Sequence, residues 1–208
     1  SGIEVVDFDG GPYYLQLAID ANIWNSVNNW NLHGRDGSYN RLTILGDGSD
    51  INLDALESDF DTQGNSLYLE GDFGLVDLTN TVATIDNIRI NALDSFTGSE
   101  SDDSVIVKDN NLSFSGGAGD DRLTIDFENY SPYYWDDNYT ATLSVKGNID
   151  GGAGSDTLAF SNANGYESVR IIDLSKAVFT NIETIETGSV SLVVSSSQYS
   201  NITFSGSG

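Results

Sequence analysis

Gly116-Gly117-Ala118-Gly119-Asp120-Asp121-Arg122-Leu123-Thr124 is the stretch on which the fold of this chain turns. Its glycines let the backbone fold tightly, including through left-handed conformations that other residues avoid. The apolar–polar alternation after Asp121 has the two-residue period of a strand. The pattern returns at Gly151-Gly152-Ala153-Gly154-Ser155-Asp156-Thr157-Leu158-Ala159, and in looser form at Gly98-Ser99-Glu100-Ser101-Asp102-Asp103-Ser104-Val105-Ile106. Gly98 and Gly116 are 18 residues apart, and Gly151 follows 35 later, one short of two such intervals. A weaker copy, Gly46-Asp47-Gly48-Ser49-Asp50, has its next apolar residues, Ile51 and Leu53, out of phase by one.

Outward from these turns, short alternating bursts recur along the chain: Tyr14–Leu17, Leu42–Leu45, Ser66–Leu69, Ser104–Val107, Leu123–Ile125, Thr142–Val145 and Ser191–Val194. Each reads as one strand. Gly, Asn, Asp and Ser lie between them, 22 Gly stand against 2 Pro, and the runs are too brief for amphipathic helices, so the expected fold is all-β. One short helix is allowed, around Asp54–Ser58. A longer echo pairs Val76-Asp77-Leu78-Thr79 with Ile172-Asp173-Leu174-Ser175 and suggests an internal duplication with insertions and deletions between the copies.

Charge restricts the partners. The 208 residues carry 32 Asp and Glu against 8 Lys and Arg, a formal net charge of −24. Such a chain repels itself when compact and repels phosphate backbones, so cations are the expected partners and nucleic acid is not. Without Cys there are neither disulfides nor thiolate metal sites, which leaves carboxylate, amide and carbonyl oxygens as ligands for a hard cation. No apolar run is long enough to span a bilayer. The absence of Met, an initiator included, suggests a piece of a longer protein.

In the pattern G-G-x-G-x-D-x-U-x the turn brings carbonyls together, Asp adds a carboxylate and the apolar U fills the core. Calcium takes six to eight oxygens at about 2.3–2.6 Å. One turn provides only part of that shell, so an ion has to lie between turns of successive coils. On these residues the sequence resembles the RTX family, secreted proteins whose nonapeptide repeats wind into a right-handed parallel β-roll. The resemblance implies a right-handed parallel β-helix or β-roll solenoid with calcium-binding turns over residues 1–208, strongest over Gly98–Phe160. It implies two nonapeptides per coil, which matches the 18-residue offset and stacks Asp103 on Asp121. It nominates Asp103, Asp121 and Asp156 as side-chain ligands of Ca2+, carbonyls of Gly98, Gly116, Ala118, Gly151 and Ala153 beside them, and Asp50 as a weaker candidate. The intervening nonapeptide Val107–Ser115 departs from the pattern: Phe114 keeps the apolar place, but Leu112 stands where Asp belongs. Phe179-Thr180-Asn181-Ile182-Glu183-Thr184-Ile185 is similar to an element of the degenerate β-helices found beside such repeats in large bacterial surface proteins.

Other constellations point less sharply. Tyr130–Tyr139, dense in rings and carboxylates, reads as a packed insertion, with a glycan platform or a further calcium loop as alternatives. Trp24, Trp30 and His33 read as a cap over the solenoid's open end. His33 is the only His, and with no Cys and no Gly-x-Ser-x-Gly elbow a nucleophilic enzyme lacks its parts. The expected role is therefore not enzymatic: a calcium-dependent structural or adhesive segment of a secreted cell-surface protein of adhesin or S-layer type, extracellular, in contact with neighbouring domains and open to glycans or lateral self-association. An accessory module of a secreted polysaccharide-active enzyme, or a carbohydrate-binding module, stands as the alternative.

Overall fold

The computed structural model describes residues 6–7, 16–26, 32–33, 41–54, 66–81, 88–127, 141–161, 169–188, 190–198 and 202–206. In chain order the elements are β1 (Val6–Asp7), β2 (Gln16–Asp20), α1 (Ala21–Ser26), β3 (Leu32–His33), β4 (Arg41–Asp47), β5 (Ile51–Asn52), β6 (Ser66–Asp77) and β7 (Ile88–Thr97). There follow β8 (Ser104–Val107), β9 (Ser113–Ser115), β10 (Arg122–Asp126), β11 (Ala141–Asp150), β12 (Thr157–Ser161), β13 (Val169–Thr180), β14 (Thr184–Glu186), β15 (Ser191–Val193) and β16 (Thr203–Ser205). The protein is all-β in character: β1 and β3 form a two-stranded sheet and the remaining strands one large sheet of 14.

Pairing in the large sheet is parallel and follows two courses. One runs β2, β4, β6, β7, β8, β10, β12, β14, β16. The other runs β5, β6, β7, β9, β11, β13, β15, the long strands β6 and β7 belonging to both. From β8 onward the chain alternates between the courses, and each return to a course is one strand further along it. Parallel neighbours need long connections, and from β8 onward each connection contains a strand of the other course.

In-register parallel stacking sets each residue against its counterpart, so a buried column must be apolar throughout. Leu42, Leu67, Ile88, Val105, Leu123, Leu158 and Ile185 form one such column, and all are at most 1% exposed. Ile44, Leu69, Ile90, Val107, Ile125 and Phe160 form a second, two residues on. The other course supplies Ile51, Val76, Phe96, Phe114, Ile149 and Phe179, and the rings of Phe96 and Phe114 stack with centroids 5.2 Å apart. Fully burying each such side chain contributes about 1.5–3 kcal/mol.

Five of the expected bursts fall within strands, several of which run longer; Ser191–Val194 overruns β15 by one residue, and Tyr14 and Leu15 of the first burst lie outside the described residues. The 18-residue offset is the register of β8 and β10, with Ser104 beside Arg122. The 35-residue offset also advances the chain one strand only, Arg122 beside Thr157, so it spans a single longer circuit through β11. A helix occurs at Ala21–Ser26, where none was expected: the Asp20 carboxylate accepts the Asn22 N–H at 2.9 Å and caps its first turn. Trp24 is 1% exposed, and its indole N–H donates to the Asn52 carbonyl at 2.8 Å, consistent with a cap over the first strands. Trp30, most of the expected Asp54–Ser58 helix and the Tyr130–Tyr139 insertion lie outside the described residues. Val76–Thr79 and Ile172–Ser175 share a local turn in which Asp77 accepts the Thr79 N–H and Asp173 the Ser175 N–H, each at 3.0 Å. They occupy different columns, Val76 pairing with Ile51 and Phe96, Ile172 with Leu143 and Leu192.

Close stacking of turns makes glycine obligatory at particular places. Gly152 has φ 99°, and a Cβ there would strike the Gly117 carbonyl oxygen. Gly188 also has positive φ, 58°, but an added Cβ would meet nothing within 4 Å. Gly152→Ala is therefore expected to cost more than about 1 kcal/mol and to lower the thermal midpoint by at least about 2 °C. Gly188→Ala should produce the smaller shift in scanning calorimetry, and equal shifts would rule out backbone stacking as the cause.

Candidate metal centre

Asp103, Asp121 and Asp156 each stand one residue before a strand of the first course, ahead of β8, β10 and β12. Register places them at successive levels, and they are 1%, 2% and 1% exposed. Two of the carboxylates bind the backbone of the level before them: the Asp103 N–H donates to Asp121 Oδ1 and the Asp121 N–H to Asp156 Oδ1, both at 2.8 Å. The Asp156 N–H donates in turn to Glu183 Oε2 at 2.8 Å, which adds an exposed fourth member. Backbone bonds run alongside, from Arg122 N–H to the Asp103 carbonyl and from Thr157 N–H to the Asp121 carbonyl, both 2.8 Å.

The remaining carboxylate oxygens decide the chemistry. Asp121 Oδ2, Asp156 Oδ2 and Asp103 Oδ1 are buried and accept no hydrogen bond. Beside Gly116, the space a Cβ would fill is taken by Asp121 Oδ2 and the Gly151 carbonyl oxygen together. Beside Gly151 the same space is taken by Asp156 Oδ2 and the Asn181 carbonyl oxygen, and beside Gly98 by Asp103 Oδ2 and the Gly116 carbonyl oxygen. All six atoms lie under 3.0 Å from the respective Cβ positions. At Gly116 and Gly151 the two acceptors converge in a buried space with no donor to the carboxylate oxygen, which leaves a proton or a cation as the means of relief.

Of the expected carbonyl ligands, those of Gly116 and Gly151 thus converge with carboxylate oxygens. Ala118 and Ala153 pair with each other across neighbouring turns, and the Ala153 carbonyl accepts the Gly119 N–H at 2.9 Å. Asp50 joins no part of this column: it is exposed and accepts the Leu75 N–H at 2.9 Å. Leu112, in the place of an Asp, is 2% exposed and belongs to the core. Two features went unnominated in the sequence. Glu183 is foreshadowed by Glu183-Thr184-Ile185, which repeats the acid–polar–apolar order of Asp156-Thr157-Leu158. A second, exposed line of acids runs alongside: Asp102 Oδ1 accepts the Asp120 N–H at 2.8 Å and Asp120 Oδ1 the Ser155 N–H at 2.9 Å.

No family model matches this chain, and no curated protein or solved structure does either. What the column can do follows from its donor set. Among the described residues no three Asp, Glu or His side chains gather round one point as a metal cage. The carboxylates come one per level, about 4.8 Å apart along the stack, with carbonyl oxygens beside them. Such an all-oxygen set suits a large, flexible coordination shell of the calcium kind and offers nothing to a soft metal. The orphaned oxygens and the glycine-lined spaces are chemically suited to such a cation, which would meet Asp121 Oδ2 with the Gly151 carbonyl and Asp156 Oδ2 with the Asn181 carbonyl.

Burial also marks these groups electrostatically. Loss of solvent pushes the Asp121 carboxyl up to about 7, reinforced by the neighbouring Asp103, Asp156 and Asp102 and opposed by the hydrogen bond from the Asp103 N–H. Asp103 and Asp156 are raised for the same first reason, with Asp102 adding to the one and Glu183, Asp120 and Asp150 to the other. A carboxyl raised in the folded state holds its proton more tightly there than when unfolded. Its contribution to stability is full below about pH 4 and is lost as pH rises through about 7. In chelator, the thermal midpoint should therefore fall from about pH 4 to about pH 7 and level off above, and Asp121→Asn should flatten that fall. A midpoint that rises with pH in chelator would contradict the burial of this column.

Proposed function

We propose that the chain is a right-handed parallel β-solenoid segment of a secreted cell-surface protein, structural or adhesive in role, whose turns are fixed by calcium. The observation that carries this reading is the column Asp103, Asp121, Asp156: buried acids at successive levels, each with an oxygen that lacks a donor. Alternation of the chain between two parallel courses is the path a solenoid takes. The 18-residue register of β8 and β10 equals two nonapeptides, the coil length of the family that the motif resembles.

Calcium would serve here as structural glue. Ligands from different levels come together only in the folded chain, so ion binding adds directly to folding stability. A segment that needs millimolar calcium stays unfolded where calcium is scarce and folds where it is plentiful, which suits export of a large acidic chain. With 32 acids against 8 bases, the folded chain gains further from any bound cation through reduced self-repulsion. Folded in this way it would act as a stiff spacer or lateral contact for neighbouring domains, with no chemistry of its own.

Calorimetric calcium titration with circular dichroism in parallel tests the reading. An ion at 100 times its Kd stabilises by about 2.7 kcal/mol, so two ions should raise the midpoint by on the order of 10 °C. Because protons compete for the same oxygens, the gain should grow from pH 5 to pH 8. Superimposable melts in chelator and in millimolar calcium would sink the proposal.

A further inference from the structure

The turn of Asp103 departs from the other two at its second, third and fourth residues, Ser99-Glu100-Ser101 against Gly-Ala-Gly, and the second of these bears directly on the carboxylate. In the turns of Asp121 and Asp156 the second residue is Gly117 or Gly152, with φ of 104° and 99°, and the carboxylate Oδ2 accepts no hydrogen bond. In the turn of Asp103 the second residue is Ser99. Asn181 is the only non-glycine residue with positive φ among those described, so Ser99 keeps an ordinary backbone. That backbone turns the Ser99 N–H onto Asp103 Oδ2 at 2.7 Å, and the Ser99 hydroxyl reaches the same oxygen at 3.1 Å. The hydroxyl oxygen accepts the Ser101 N–H at 3.1 Å, so its own proton is free for the carboxylate, which is nearer than the Ser101 carbonyl at 3.3 Å. Ser99 is 2% exposed, so these bonds form away from water.

A buried carboxylate oxygen is relieved by a proton, by hydrogen-bond donors or by a cation. The glycine turns offer no donor to Oδ2, whereas the serine turn offers two. Donor hydrogens directed at Oδ2 occupy its lone pairs and turn positive charge toward the space a cation would enter. We propose that Ser99 stands in for the cation at the Asp103 level, so that turn-side ion sites exist at Asp121 and Asp156 only and the residue at position 99 sets the number of ions. This rests on the calcium reading above. On its turn side Asp103 is then satisfied by its own donors at any calcium concentration, while its Oδ1 stays without one, and the turn forms a ready template against which the ion-dependent turns stack.

Calcium stoichiometry by calorimetry on the full chain, with terbium luminescence as a second count, tests the assignment. Asp121→Asn and Asp156→Asn should each lose one ion, and Asp103→Asn should lose none. Ser99→Gly, which removes the hydroxyl and frees the backbone to adopt positive φ, should gain one ion. Ser99→Ala, which keeps the N–H bond, should gain none. An unchanged count in a folded Ser99→Gly protein, or an ion lost in Asp103→Asn, overturns the role of Ser99 while leaving calcium binding intact. Should Ser99→Gly fail to fold, the Asp103→Asn count decides alone. If the unaltered chain binds no calcium, the calcium reading fails and this assignment with it.

Discussion

Everything in this fold depends on stacking strands in parallel and in register at one strand spacing. At about 4.8 Å per level a residue has its counterpart immediately above and below, so a column tolerates only groups that suit their own kind. Branched apolar side chains do, which accounts for the unbroken Leu, Ile, Val and Phe columns of the interior. Glycines do where carbonyls cross, because any Cβ at Gly98, Gly116 or Gly151 would enter space already held by oxygens. Carboxylates do not, and the column Asp103, Asp121, Asp156 is the one that the stacking itself opposes.

That opposition is only half answered by the backbone. One oxygen of Asp121 and one of Asp156 accept the N–H of the preceding level, which ties neighbouring levels together at their most acidic point. The second oxygen is left against a carbonyl, and burial then holds the protons on the column well above the ordinary carboxylate range. At the Glu183 level the acid is exposed, so water supplies what the interior withholds. Each buried acid thus keeps one unmet oxygen, but at Asp103 it is Oδ1, because Ser99 supplies donors to Oδ2, while at Asp121 and Asp156 it is Oδ2; at Glu183 solvent takes over.

The sequence revealed the features that repeat and concealed those that do not. Strand content, the stacking of Asp103 on Asp121 and the burial of Phe114 after a turn with Leu112 in the acid's place all follow from a nine-residue period, and the structure has them. The spacing between Gly116 and Gly151 was ambiguous, because 35 residues can be two short circuits or one long one, and only the pairing of β10 with β12 distinguishes them. Glu183 was hidden by its longer side chain and by the lack of a Gly-Gly turn before it. Asp50 shows the reverse case: a motif out of phase by one carries its acid to the other side of the chain, where it caps Leu75 in solvent. The helix at Ala21–Ser26 was overlooked because six residues leave no periodicity to read, although Asp20 two residues before Asn22 was a capping signal.

The long circuit has a use beyond its place in the stack. In sequence 35 residues separate Leu123 from Leu158 where 18 separate Val105 from Leu123, and β12 nevertheless lands on β10 residue for residue, with Leu123 on Leu158 and Ile125 on Phe160. Circuit length is therefore decoupled from alignment, and a longer stretch of sequence between β10 and β12 leaves their register intact. For protein engineering this makes the longer circuit the place to insert a peptide tag, an epitope or a small reporter at a defined level of the stack.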